Sequence, residues 1–333
     1  MLDGVKWINQ RGGIYGSKLE IILIEDTSQA AETVAAFRKL NEADRILFLY
    51  IYSTETALAL LPHFHMHRIP TLTSSFPSQL ANPVKYPYVF SITPTPLDLA
   101  KIGMKFISEN SSIKGRKPKI VFVGSPDHHG QHFLNEAKEY TKGLGLEIGP
   151  DIGIPTPSHP SPLLTMHSYS PDFAYLSLSS KEAYSILQQA REIGLKTKWV
   201  CNMKSFDENL LSFDGVFGVQ PIAFFGEDIP GMVEIKEAHQ KWHPYDSHTL
   251  SYVEGWATVQ VIAEALGRSL QEQGFSRERV KSALVGFKHL VIGGLVPPLT
   301  FTTQDHRPSV ESRVFMIQEG KISKYTGFIS VGR

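Results

Sequence analysis

Residues 46–76 place a predicted helix between two predicted strands, and this order constrains the fold more than any other stretch of the sequence. Residues 46–51 form an apolar run whose length and residue types suit a buried strand. An apolar helical pattern follows, for which Ser53 or Thr54 is the natural N-cap, and residues 68–72 begin the second strand. A strand, a helix and a strand in succession indicate neighbouring strands of an open α/β sheet.

Small hydroxyl side chains and backbone N–H groups follow both strands at the point where each strand ends. Ligands of open α/β sheets sit outside the carboxyl ends of the strands, near helix N-termini that favour an anion. This edge is therefore a candidate ligand site. The alternative is that these residues are only caps and turn formers. They are Tyr52, Ser53 and Thr54 after the first strand, and Thr73, Ser74 and Ser75 after the second.

Strands and helices alternate along the rest of the chain, which predicts an α/β protein with parallel sheets and helices on both faces. Residues 150–162 are rich in Pro, Gly and Ser, and we expect them to be irregular. The other predicted strands are 19–25, 88–92, 119–124, 173–178, 199–202 and 216–220, with a hairpin-like pair at 313–318 and 321–325. The other predicted helices are 2–10, 29–41, 97–109, 131–144, 181–193, 232–242, 252–266 and 277–285.

Composition excludes several kinds of protein. The chain has 333 residues, enough for two domains of typical size. Because 33 Lys and Arg balance 33 Asp and Glu, charge gives no reason to expect a nucleic acid or an anionic membrane as a partner. The single cysteine, Cys201, excludes an internal disulfide and a multi-cysteine metal site. No apolar run reaches the roughly 18 residues that a membrane-spanning helix needs.

A family resemblance is carried by short segments along nearly the whole chain, through their order and spacing rather than through any single one. In the first half they are WINQRGGI at 7–14, ED at 25–26, ST at 53–54 with ALA at 57–59, IPTLT at 69–73 and YVFS at 88–91. In the second half they are HG at 129–130, PDF at 171–173, QAREIGL at 189–195, YVEGW at 252–256, AL at 265–266 and DHRP at 305–308. In this arrangement the chain resembles the branched-chain amino acid binding proteins of ABC transporters, which have the type I periplasmic binding fold.

The resemblance implies two Rossmann-like α/β lobes with parallel sheets, joined by three crossover strands, with one ligand in the cleft between the lobes. The crossovers would fall near residues 91–95, 220–224 and 301–305. Lobe one would comprise residues 1–92 and 222–302, and lobe two residues 93–221 and 303–333.

The resemblance also implies a binding protein rather than an enzyme. Its lobes would close around the ligand, and the closed form would be presented to an ABC permease in the membrane. The expected ligand is a small carboxylate-bearing molecule, either an amino acid or an aromatic or hydrophobic acid. We expect no cofactor, no metal and no nucleic acid partner. The protein would act as a monomer in the periplasm or outside the cell, lipid-anchored in a Gram-positive host.

The start of the chain departs from the family pattern. Members of the family begin with a strand and a Gly- or Ser-containing loop before the helix that here starts at Leu2. We therefore expect that first strand and the signal peptide to be missing from this chain. Loss of the strand would expose the edges of its neighbours in the sheet.

The pocket residues follow from the resemblance position by position. In lobe one, the hydroxyls and amides of residues 52–54 and 73–75 would take the ligand carboxylate, because several hydrogen bonds can hold it without Arg or Lys. In lobe two, His129 stands where the family has an aromatic residue before the Gly that opens a helix, and Ser179 stands where it often has Tyr. A bound carboxylate would favour the protonated form of His129. Alternatively, His129 only caps a helix beginning at Gln131.

The family's amino acid binders also place an acidic residue after the strand at 199–201, to pair with the ligand ammonium. Here that loop is Asn202-Met203-Lys204, and the nearest carboxylate is Asp207. This departure argues against an α-amino acid, although Met203 would still line the pocket. Tyr252 or Glu254 could reach the cleft if the start of their helix faces it.

Two other functions stay open. One is an α/β hydrolase with Ser53 or Ser74 as nucleophile and His129 as base. No Gly-x-Ser-x-Gly elbow and no Gly-x-Gly-x-x-Gly loop supports it. The other is a ligand-sensing regulatory protein on the same fold, which permease and ATPase genes beside this one would argue against.

A histidine tract, His63-x-His65-x-His67, suggests a metal site at first sight. On a helix, however, His63 and His67 are one turn apart and His65 points away from them. Basic residues near a helix C-terminus also interact favourably with the helix dipole. We therefore interpret the tract as structural.

Overall fold

The computed structural model describes residues 1–24, 29–44, 46–74, 77–111, 113, 115–124, 128–154, 161–271 and 274–333. For residues 43–44, 128–133 and 161 it describes the backbone alone. No helix in these ranges is long and apolar enough to cross a membrane.

Ten α-helices and eleven strands are assigned within the described residues. The helices are α1 Leu2–Gln10, α2 Ala30–Lys39, α3 Thr54–His67, α4 Pro96–Asn110, α5 His128–Gly143, α6 Ser161–Tyr169, α7 Ser180–Glu192, α8 Met232–Trp242, α9 Leu250–Gln271 and α10 Arg277–Val285. The strands are β1 Leu49–Ile51, β2 Thr71–Thr73, β3 Val89–Phe90, β4 Lys119–Gly124, β5 Glu147–Ile148, β6 Phe173–Ser177, β7 Lys198–Cys201, β8 Phe217–Gln220, β9 Glu311–Gln318, β10 Lys321–Lys324 and β11 Ile329–Ser330. The predicted α/β class is confirmed.

The chain divides into two compact units, each built from two separate segments. Unit 1 comprises residues 1–95 and 222–309, and unit 2 comprises residues 96–221 and 310–333. The sequence predicts boundaries after residues 92, 221 and 302, whereas those of the two units fall after residues 95, 221 and 309.

Unit 1 contains a parallel sheet in the order β1-β2-β3. Its strands pack on α2 and α3 through a buried apolar cluster that includes Phe37, Leu60 and Phe64. Arg277, the first residue of α10, donates hydrogen bonds to the carbonyls of Ile46 and His67 at 2.8 and 3.0 Å. These bonds connect α10 to the segment before β1 and to the last residue of α3. They supply donors to two backbone carbonyls that strand and helix bonding would otherwise leave without one.

Unit 2 contains a mixed sheet in the order β10-β9-β8-β7-β6-β4-β5, with β11 paired to β9. The strands from β8 to β5 are parallel, and β9 joins them antiparallel to β8. The core lies on the central strand β6, where Tyr175 packs against Phe122 of β4 with ring centroids 6.0 Å apart. At the amino end of β6, Asp172 accepts from the guanidinium of Arg116 at 2.6 and 2.7 Å and from the Lys119 backbone at 2.7 Å. The Arg116 hydrogen bond, ahead of the other causes, lowers the pKa of Asp172.

The sequence prediction differs from the structure at several places, among them the strand β11, which is not predicted. A strand is predicted over residues 19–25, but residues 19–24 pair with no strand, and Asn9 holds the backbone of Leu19 through hydrogen bonds of 2.8 Å at both its N–H and its carbonyl. The short strand β5 and the helix α6 are not predicted, because two residues of β-pattern and a helix next to a Pro-rich segment leave little periodicity to detect. Residues 155–160 of the predicted irregular segment lie outside the described residues.

Replacing Gly218 of β8 with alanine is expected to destabilise unit 2 by about 1–3 kcal/mol, because the added methyl group overpacks the core. An added Cβ would collide with the ring of Phe206, which is fully buried. Chemical denaturation of both proteins measures the change. Gly143, the last residue of α5, is the matched control: nothing lies within 4 Å of a Cβ built there. We expect Gly143→Ala to leave stability unchanged or slightly higher, and equal effects of the two substitutions would contradict the packing explanation.

Candidate functional site

The carboxyl ends of β1 and β2 lie side by side in unit 1, as the residue order predicts. Ser74, directly after β2, donates its backbone N–H to the carbonyl of Ile51, the last residue of β1, at 2.9 Å. The hydroxyl of Thr73 donates to the carbonyl of Phe90 at 3.4 Å. Thr73 and Ser74 are both buried, with 1% and 3% of their surfaces exposed. Two of the predicted hydroxyl groups therefore belong to one sheet edge.

Ser53 caps α3, as predicted. Its extended backbone, with φ −90° and ψ 142°, precedes the helix, and its hydroxyl oxygen accepts from the backbone N–H of Thr56 at 3.1 Å. The same hydroxyl lies 3.1 Å from Oε2 of Glu55, to which it donates. Thr54 is the first residue of α3, and Tyr52 is exposed beside it. The positive end of the α3 dipole thus lies next to the carboxyl end of β1, where an anion is favoured.

Three polar side chains, those of Tyr50, Ser74 and Glu254, are joined by hydrogen bonds at this edge. The hydroxyl of Ser74 donates to Oε1 of Glu254 in α9 at 2.7 Å, and the side chain of Tyr50 in β1 is hydrogen bonded to Ser74. Burial raises the pKa of Tyr50, and the nearby Glu254 carboxylate raises it further. Tyr50 is therefore a neutral phenol over the physiological range. The sequence offers no signal for these hydrogen bonds, because Ser74 and Glu254 are 180 residues apart.

Tyr252 lies in a different environment. Its hydroxyl donates to Oδ2 of Asp3 in α1 at 2.8 Å, and burial followed by this hydrogen bond raises its pKa. Its ring packs among Phe225, His239 and Trp256, with centroids 6.4, 5.1 and 6.5 Å away. These contacts tie the start of α9 to α1 and α8. Within unit 1, Tyr252 therefore has a structural role that its sequence position does not predict.

In unit 2, Ser179 forms a complete capping box at the start of α7. Its hydroxyl oxygen accepts from the backbone N–H of Glu182 at 3.3 Å, while its own N–H donates to the Glu182 carboxylate at 2.9 Å. Met203 is buried, and its carbonyl accepts from the side chain of Gln220 at 3.1 Å. Asn202 orders the same loop by accepting from the backbone N–H of Ser205 at 3.0 Å.

Two predicted site residues cannot be placed in full. Ser75 lies outside the described residues, and the side chain of His129 does as well. The backbone shows α5 beginning at His128, so His129 lies in the first turn of the helix rather than before a helix starting at Gln131. The cap interpretation of His129 is therefore wrong.

The histidine tract has the predicted arrangement on α3. The rings of His63 and His67 stack with centroids 6.0 Å apart, whereas His65 packs edge-on against Tyr88. Burial, ahead of the nearby Arg38 charge, lowers the pKa of His63. Nowhere in the described part of the chain do three or more His, Cys, Asp or Glu side chains come together in a way that could hold a metal ion.

The fold is that of the periplasmic binding proteins. The chain belongs to the periplasmic binding protein family, whose model matches residues 2–321. The family predicted from the sequence is thereby confirmed. No curated protein matches the sequence.

Solved structures with the same fold cover almost the whole chain. A branched-chain amino acid ABC transporter protein from Thermus thermophilus with bound valine is 20% identical, with a TM-score of 0.88 over 99% of this chain and 90% of that one. A fatty acid ABC transporter substrate-binding protein from Thermomonospora curvata is 20% identical, with a TM-score of 0.85 over 99% and 86%. A solute-binding protein of an ABC transporter from Rhodopseudomonas palustris BisB5, in complex with 3,4-dihydroxy benzoic acid, is 18% identical, with a TM-score of 0.80 over 98% and 91%.

Proposed function

We propose that the chain is the extracytoplasmic solute-binding component of an ABC importer and that it binds a small carboxylate-bearing ligand with an apolar or aromatic body. The observation that carries this proposal is the edge of the unit 1 sheet. There the carboxyl ends of β1 and β2 adjoin the capped N-terminus of α3, which suits an anion. The ligand is bound by closure of the two lobes, and no bond is made or broken.

The ligands named for the structural neighbours support a carboxylate. Valine, a fatty acid and 3,4-dihydroxy benzoic acid differ in size and shape, but each carries a carboxyl group. A constant set of N–H and O–H donors for the carboxyl group would suit ligands whose bodies differ in this way. The N-terminus of α3, whose dipole favours an anion, supports this proposal.

The hydroxyl groups of this edge are better suited to ligand binding than to catalysis. The hydroxyl of Ser53 caps α3, and that of Ser74 donates to Glu254. Neither serine lies in the Gly-x-Ser-x-Gly elbow that exposes the nucleophile of an α/β hydrolase. The proposed protein works as a monomer in the periplasm or outside the cell. Its partners are the ligand and a membrane permease, and it needs no cofactor, metal ion or nucleic acid.

A thermal-shift screen tests the ligand class. Amino acids, aromatic acids, fatty and keto acids form the test set, and the corresponding amides and alcohols form the control set. We expect acids alone to raise the melting temperature, with stabilisation of about 2.7 kcal/mol when the acid is a hundredfold above its Kd. Stabilisation by sugars, amides or alcohols without any response to acids would overturn the proposal.

A further inference from the structure

Unit 2 contains a large cavity at the amino edge of its sheet, the edge where β4, β6 and β7 begin. Its volume is about 760 Å³, which is within the range of sites that hold small molecules. At this edge the N–H of Lys198, the first residue of β7, donates to the carbonyl of Asp172, directly before β6, at 2.9 Å. Ser179 and Met203, the predicted ligand residues of this unit, follow the opposite ends of β6 and β7. The cavity is therefore separate from them.

Cationic side chains line this cavity. They are those of Arg116, Lys196 and Lys198, and they are accompanied by one carboxylate, Asp172. Lys196 and Lys198 are exposed, and within the described part of the chain neither side chain forms an ion pair or a hydrogen bond. Nζ of Lys198 lies over the ring of Phe173, 5.6 Å from its centroid. Two positive charges of the lining are thus without a negative partner among the described residues.

Asp172 neutralises Arg116 but does not occupy all of its donors. Its carboxylate accepts from Nη1 and Nη2 at 2.6 and 2.7 Å, and the carbonyl of Lys117 accepts from Nη1 at 3.0 Å. The N–H of Nε and the other N–H of Nη2, which share one edge of the guanidinium, have no acceptor among the described residues. This open edge is a fork that matches two oxygens of an oxyanion, and the bonds to Asp172 hold it in place.

The balance of charge at the cavity is positive. Because Arg116 and Asp172 cancel each other, the full charges of Lys196 and Lys198 remain. Helices α4, α6 and α7 end at this cavity, and each helix end carries about half a negative charge. That partial charge acts only within the last turn of each helix, whereas each lysine carries a full charge on a long side chain. The cavity therefore favours an anion.

A phosphate monoester matches these groups better than a carboxylate does. A carboxylate has two oxygens, so the open edge of Arg116 would satisfy it without the lysines. A phosphate monoester presents three oxygens and about two negative charges, which suits an arginine and two lysines together. Beside these cations lie the buried ring of Phe173 and the half-buried Leu195, which provide an apolar surface for the body of the ester.

We propose that this cavity is a binding site for a phosphate group carried on an apolar body, with Arg116, Lys196 and Lys198 as the groups that bind it. The site lies within unit 2 and uses none of the residues at the carboxyl ends of β1 and β2. It therefore does not depend on the proposed function. A soluble phosphate monoester and the headgroup of an anionic phospholipid both carry such a group.

Calorimetric titration of the full chain with phenyl phosphate tests the site. We expect the double variant Lys196→Gln/Lys198→Gln to lower the affinity by about tenfold or more, as for lost hydrogen bonds between charged groups. Lys324→Gln is the matched control, because Lys324 is an exposed lysine of β10, which β8 and β9 separate from β7, and it should retain the wild-type affinity. Inorganic phosphate, which lacks the ring, should bind the wild type more weakly than phenyl phosphate.

A second titration identifies the source of the phosphate group. It uses vesicles of phosphatidylcholine with and without phosphatidylglycerol. Binding of phenyl phosphate alone identifies a soluble ester, and binding of the phosphatidylglycerol vesicles alone identifies a lipid headgroup. Either result supports the site when the double variant loses it and Lys324→Gln does not.

Three results would overturn the inference. They are no binding of either probe by the wild type, equal affinity in the wild type and the double variant, and equal losses in the double variant and Lys324→Gln. Inorganic phosphate that binds as tightly as phenyl phosphate would overturn the apolar body. Both lysines are exposed, so we expect the double variant to fold as the wild type does, which circular dichroism verifies. If it does not fold, the single variants Lys196→Gln and Lys198→Gln replace it, with the same outcomes.

Discussion

Replacing Phe106 with alanine is expected to lower the free energy of unfolding by about 3–5 kcal/mol, the largest effect of any single substitution considered. Phe106 lies in α4 with 1% of its surface exposed. Its ring contacts those of Phe217 and Tyr325, with centroids 5.2 and 5.8 Å away. Truncation removes the transfer free energy of the ring and leaves a cavity between α4 and the sheet of unit 2.

Phe328 provides the matched control in the same unit. Its side chain is 43% exposed, and Arg313 lies over its ring 5.2 Å from the centroid. We expect Phe328→Ala to cost less than about 1 kcal/mol, because little apolar surface is lost. Urea unfolding of the wild type and the two variants gives both changes in the free energy of unfolding. A loss for Phe106→Ala as small as that for Phe328→Ala would refute the packing of α4 on this sheet.

His306 is expected to make the protein lose stability as the pH falls below about 6.5, the reference pKa of histidine. Its side chain is 1% exposed, stacks on Phe90 with ring centroids 4.2 Å apart, and its Nδ1 donates to the carbonyl of Val89 at 3.0 Å. Burial lowers the pKa of His306 to about 4, with Lys281 acting in the same direction and Val89 and Asp305 against it. Between pH 6.5 and pH 4 the unfolded chain binds more protons than the folded one. The free energy of unfolding therefore decreases as the pH is lowered, by a total of about 2–3 kcal/mol.

His306→Phe isolates this contribution. The variant keeps a ring against Phe90 but leaves the carbonyl of Val89 without its donor, so we expect a loss of about 1–3 kcal/mol at neutral pH. Below neutral pH its stability should decline less steeply than that of the wild type. His65 is an exposed histidine of the same unit, and His65→Phe should retain the wild-type slope. The measurement is a series of urea unfolding curves from pH 7.5 to 4, and parallel slopes in wild type and His306→Phe would exclude the proposed linkage.

Local rules of the sequence predicted much of the fold. The bounds of α1, α8, α10 and β4 agree with the prediction at both ends, because periodicity and caps at those ends are local. Ser53, one of the two predicted N-caps, caps α3 for the same reason. A cap needs only the residue itself and the next turn of helix, both of which are adjacent in sequence.

The wrongly predicted strand over residues 19–24 and the missed polar contacts share a cause, which is dependence on a distant partner. Residues 19–24 have the composition of a strand, but a strand exists only where another strand bonds to it. The polar chain from Tyr50 through Ser74 to Glu254 and the bond from Tyr252 to Asp3 join residues far apart in sequence. Residue type predicted that hydroxyl groups would lie at the sheet edge. The acceptor of the Ser74 hydrogen bond, Glu254, depends on how α9 packs within unit 1.

The interleaving of the two units has a consequence for synthesis on the ribosome. The nascent chain delivers residues 1–95 first, but the rest of unit 1, residues 222–309, emerges only after most of unit 2. Unit 2 in turn lacks β9 to β11 until residues 310–333 leave the exit tunnel, so β8 is without its partner β9 until then. The usual order, in which an N-terminal domain folds before the next one is made, is therefore unavailable to this chain. Residues 46–74 can pack on α2 and α3 at once, but their hydrogen bonds to α9 and α10 form only after most of unit 2 has been made.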